Sequence, residues 1–125
     1  MLLMSQTMFL QTVAFIHATY FALTGIWPLV HMPSFLKVTG PKTDLWLVRT
    51  VGVLVTAIAI PIFTSAINRR ITSDILYLAI LSALGLTIID VVYVARRVIS
   101  KIYLLDAAAE VILIVAWLLA VGAKG

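Results

Sequence analysis

Five ionisable side chains interrupt otherwise apolar stretches of this chain: His17, Arg49, Asp90, Asp106 and Glu110. If those stretches cross a bilayer, each charged group costs roughly 2.5–3.5 kcal/mol near the centre on insertion scales, so each needs a partner or a use. Asp106 and Glu110 are four residues apart and therefore share one face of a helix. Arg49 can neutralise one carboxylate, most strongly as a bidentate pair. The remaining carboxyls then need a proton, a second cation or water. Buried carboxyls of this kind suit a proton carrier or a cation site. An Arg–carboxylate pair between membrane helices also serves as a structural clamp, its long side chain reaching toward water. Both readings stay open at the level of sequence.

The histidines invite a second chemistry. His17 and His31 are separated by fourteen residues, which puts them within about 40° of each other around a helix at 100° per residue. Such spacing suits haem ligation inside a membrane, but the chain has only two histidines and a bis-histidine haem would need a symmetric dimer. A hydrogen-bonded interior role for His17, on a stripe with Tyr20 and Thr24, is the simpler reading, and no cofactor or metal is expected. Trp27, Trp46, Tyr103 and Trp117 fit an aromatic belt at the membrane interfaces better than a cofactor cage. His17, His31, Trp27, Trp46 and Tyr103 are secondary candidates beside the main set of Arg49, Asp90, Asp106 and Glu110.

The elements that must position these residues are long and apolar. A spanning helix needs about 20 mostly apolar residues. Four segments qualify, Met8–Val30, Leu45–Ile67, Ile75–Ala95 and Ile102–Gly122. The expected fold is therefore all-α: one integral membrane domain, a four-helix transmembrane bundle whose sequential helices are antiparallel neighbours. The first connection, HMPSFLKVTGPKTD, carries Pro33 at a helix start and Gly40–Pro41 at a helix stop. It predicts a short helix on the membrane surface, with Phe35 and Leu36 dipping inward. Ser73 is expected to cap the third span and Ser100 the fourth. Small residues at four-residue spacing, Ala14–Ala18–Ala22, Ala79–Ala83 and Gly52–Thr56, allow close helix contacts in lipid.

These helices bring the charges to one level. Arg49 follows the first connection, Asp90 precedes the third, and Asp106 and Glu110 follow the third. In a stack of helical hairpins those connections share a side, so all four groups lie about 6–12 Å below one surface at 1.5 Å per residue. Trp27 and His31 arrive at the same side.

Composition fixes the solvent. Of 125 residues, 63% are hydrophobic and only 11% charged, against about a quarter in soluble domains. The absence of cysteine excludes disulfides, thiol catalysis and thiolate metal sites. The net charge of +4 is scattered over short loops, which suits phospholipid headgroups and argues against nucleic acid. Lys37, Lys42, Arg96, Arg97 and Lys101 lie on one side against Arg69, Arg70 and Lys124 on the other, which favours both termini outside. The N-terminus has no early basic residue, so the first span reads as a retained helix.

The segments VTGPKTDLWLVRTVG (Val38–Gly52) and SKIYLLDAAAEVILIVAW (Ser100–Trp117), with the overall layout, resemble small uncharacterised bacterial four-helix membrane proteins, DoxX-like in size. That resemblance implies a bacterial inner membrane and, for the wider group, an association with quinone-linked oxidoreductase complexes. It carries over no site residue. The function expected is non-enzymatic: binding of a small or lipid-like ligand, or service as a subunit of a membrane complex. A proton-coupled carrier working as a homo-oligomer is the alternative, and a membrane enzyme or oxidoreductase subunit a more distant one.

Overall fold

The computed structural model describes residues 2–122, with side-chain surroundings from Gln6 onward; Lys124, counted in the orientation argument, lies outside them. Five helices follow one another: α1 (Leu2–Val30), α2 (Met32–Thr39), α3 (Leu45–Ile67), α4 (Ser73–Ala95) and α5 (Tyr103–Gly122). Four of them, α1 and α3 to α5, are long and apolar enough to cross a membrane. Lipid offers a backbone no hydrogen bonds, so segments of this length and composition close their own. Their hydroxyls do the same: Thr24, Thr56 and Thr87 each donate to the carbonyl four residues earlier, at 2.9, 2.7 and 2.8 Å. The outward faces are Leu, Ile and Val, as a lipid-facing surface requires.

The helix ends differ from expectation in detail. α1 begins before Met8, because Gln6 finds a partner by donating to the Val121 carbonyl at 3.1 Å. Thr72, not Ser73, caps α4, its hydroxyl accepting from the Ile75 amide. The Ser100 hydroxyl accepts from the Ile102 amide in the turn that precedes α5. Neither α3 nor α4 ends on glycine. Arg69 and Arg97 take left-handed φ values of 53° and 59°, and the residue after each bonds back five residues, Arg70 to Ser65 and Val98 to Tyr93, both at 2.9 Å. These are Schellman closures, which satisfy carbonyls at the helix end.

The bundle is packed at one end and open at the other. α1 packs chiefly on α3 and also on α5, and α4 packs on α5, whereas α3 and α4 barely touch despite the short loop between them. Sequential antiparallel packing is thus broken at one seam: α1 lies between α3 and α5 and supplies the contact that α3 and α4 lack. Around the α3–α4 connection, Ala14, Ala18, Ile62, Ala66, Ala79 and Trp117 form a tight core. Small residues there let helices meet closely, as their spacing predicts. A smaller cluster of Phe21, Val55 and Ala59 continues it. Beyond that cluster, toward the first and third connections, the helix pairs part.

Candidate ligand site

A cavity of about 530 Å³ fills the space where the pairs part. Its α1–α3 wall depends on a contact that only glycine permits. A Cβ on Gly52 would lie 2.6 Å from the Gly25 carbonyl oxygen, and one on Gly25 would lie 2.9 Å from the Gly52 oxygen. The two backbones therefore touch, and Val55 and Leu86 face the space between the pairs. Glycine at 52 was legible as a packing residue; its partner Gly25 was not, since no small residue stands four positions from it.

Four polar side chains line the inner part of the cavity: Tyr20 from α1, Asp90 from α4, and Asp106 and Glu110 from α5. Asp106 is the hub. It accepts a hydrogen bond from the Tyr20 hydroxyl and lines the same cavity as the Asp90 and Glu110 carboxyls. Glu110 is completely buried, Asp90 is 5% exposed, and both Glu110 oxygens and Asp90 Oδ2 have no hydrogen-bond partner. A buried carboxyl oxygen without a partner is costly and marks a place where something else binds or a proton resides.

Arg49 does not join this cluster. It is exposed near the start of α3 and does not line the cavity, although its neighbours Val48, Val51 and Gly52 do. The expected buried Arg–carboxylate cluster is therefore corrected to a carboxyl–tyrosine cluster. An arginine within the first turns of a spanning helix can extend to the interface and escape desolvation, which pairing deeper inside would not relieve. Among the described residues, the side-chain donor to these acids is the Tyr20 hydroxyl, and Lys42, which lines the same cavity, bonds to Thr39 and Gly40 instead.

The mouth is built from α2 and the start of α5. The Lys42 ammonium donates to Thr39 Oγ1 at 2.8 Å and to the Gly40 carbonyl at 3.1 Å. It also lies 5.1 Å from the Tyr103 ring centroid and 5.3 Å from that of Phe35, within cation–π range. Phe35 stands edge-on to Trp27 at 5.4 Å, and Trp27 Nε1 donates to Ser34 Oγ at 2.8 Å. Phe35 thus packs over the cavity mouth, where it lines the opening beside Trp27 and Tyr103.

The other candidates have structural places elsewhere. His31 is exposed and caps α2, its Nδ1 accepting from the Ser34 amide. Trp46 is 65% exposed on the outer face of α3, away from the cavity. His17 is fully buried, edge-on to Phe21 at 4.3 Å, and its Nδ1 accepts from Trp117 Nε1 at 2.9 Å. Trp117 is itself fully buried, so it belongs to the core and not to the interfacial belt. Of the sequence candidates, Asp90, Asp106, Glu110, Trp27 and Tyr103 line one cavity, and Arg49, His17, His31 and Trp46 do not. Tyr20 and Lys42 were missed as site residues. Tyr20 had a signal, since it falls on one stripe of α1 with Thr24, which also lines the cavity. No family model, curated protein or solved structure matches the chain.

Proposed function

We propose that this small polytopic membrane protein binds a small or lipid-like molecule within the bilayer, its apolar body between the helix pairs and its polar head at Asp90, Asp106 and Glu110. One observation carries the reading: an apolar cavity of about 530 Å³ that ends on a completely buried Glu110 with both oxygens unpartnered. That volume lies within the range of ligand pockets, which combine apolar walls with a few convergent polar groups. The wide separation of α3 and α4 supports access from the lipid, because exposed residues of both helices, Val51 and Ile89, line the cavity. With the DoxX-like resemblance, the setting proposed for this activity is a bacterial inner membrane, alone or beside a larger complex.

A photoreactive fatty alcohol tests the reading in lipid nanodiscs. Labelling should concentrate on cavity residues such as Val48 and Leu86, and Leu86→Trp, which fills the space, should suppress it. Labelling spread evenly over the lipid-facing surface and unchanged by Leu86→Trp would remove the site. The unpartnered carboxyls also support a second reading, a carrier that exchanges a proton for its substrate at Glu110 or Asp106, working as a homo-oligomer.

A further inference from the structure

We propose that the head group taken by this cavity is a monovalent organic cation of ammonium type on an apolar chain, set against Glu110, Asp90 and Asp106; the inference rests on the ligand-binding reading above. Three carboxyls meet in an apolar space, and the basic residue that the sequence offered as their partner, Arg49, stands outside it. Tyr20 meets one acceptor site on Asp106, but Glu110 and one oxygen of Asp90 keep theirs unfilled. A ligand that only accepts hydrogen bonds meets none of these. A cationic head supplies the missing charge and, where it carries N–H groups, the missing donors as well. Such charge-assisted contacts are the strong ones in a low-dielectric site.

A bare metal ion fits less well. Among the described residues no group of three or more His, Cys, Asp and Glu side chains is disposed to hold a metal. The carboxyls line a cavity of about 530 Å³ whose walls are mainly apolar, as a chain attached to such a head requires. The mouth shows how this fold treats an ammonium. Lys42 is held there by two aromatic rings and by oxygens of Thr39 and Gly40. Its charge stands on the connection between α2 and α3, at the edge of the same cavity.

The test compares two probes of equal chain length on the full protein in zwitterionic nanodiscs: decyltrimethylammonium, a permanent cation without N–H donors, and decanol, its neutral counterpart. Displacement of the photoreactive fatty alcohol from the cavity reports binding. The cation should compete at least about tenfold more strongly than decanol, the factor expected for one added charge contact. Glu110→Gln, which keeps shape and removes charge, should erase most of that preference. Equal competition by both probes on the unaltered protein would overturn the cation assignment while leaving the ligand site standing. If neither probe competes, the ligand-binding reading falls with it. Since the probe comparison is made on the unaltered protein, it decides the matter even if Glu110→Gln misfolds.

Discussion

Tyr20 on α1 donates its hydroxyl to the Asp106 carboxylate on α5, and this bond joins the two helix pairs at the level of the buried acids. Elsewhere on that seam, among the described residues, the polar contacts are Gln6 to Val121 near the start of α1 and Trp117 to His17 within the tight core. Tyr20–Asp106 is the one of these three that faces the cavity.

Tyr20→Phe removes the hydroxyl and leaves the ring. It strips the Asp106 acceptor of its donor beside two further buried carboxyls, so it should destabilise the protein by about 1–3 kcal/mol, the range for a buried group left without its hydrogen bond. Asp106→Asn should cost a similar amount, and the double variant clearly less than the sum, because both changes break one contact. Reversible unfolding in mixed micelles, followed by helical signal, measures all three. Additive losses would mean that the tyrosine and the aspartate act independently.

Arg49 gives the opposite expectation. A buried arginine paired to a carboxylate would cost several kcal/mol on truncation, since its partner would be left uncompensated. Arg49 is instead exposed and away from the acids. Arg49→Gln should therefore shift stability by no more than about 0.5 kcal/mol, as for other surface changes. The same unfolding measurement decides, and a loss above 2 kcal/mol would return Arg49 to the cluster.

The contrast between these residues shows what sequence can encode. Depth along a helix is legible, because residue count converts to distance at a fixed rise, and so Asp90, Asp106 and Glu110 were expected at one level and line one cavity. Four spans were legible for the same reason, since length and apolarity suffice. Rotation about a helix axis is less legible where apolar residues cover all sides. Arg49 shared the expected depth but points elsewhere, and Tyr20 met Asp106 across a seam that hairpin order does not specify. Trp117 shows the same gap: near a helix end, tryptophan suits the interface equally well, and only packing against His17 put it in the core. The open seam between α3 and α4 was unreadable, since a short loop keeps two helix ends together without fixing how closely their lengths pack.

The last prediction concerns the close contact that forms the cavity wall. Gly25 and Gly52 oppose each other across α1 and α3, and a methyl at either would meet backbone atoms at 2.9 Å or less. Backbone cannot rotate aside as a side chain can, so Gly52→Ala must push the helices apart. Overpacking of this kind costs about 1–3 kcal/mol, and it should also move the Val55 side of the cavity, weakening alcohol labelling. Gly85 is the control. It lies inside α4 with nothing within 4 Å of an added Cβ, so Gly85→Ala should stabilise by about 0.5–1 kcal/mol through helix propensity alone. Gly52→Ala and Gly85→Ala are the same chemical change in two spanning helices. Opposite signs in unfolding would establish the α1–α3 contact, whereas a gain from both would show that the two helices do not approach at Gly52.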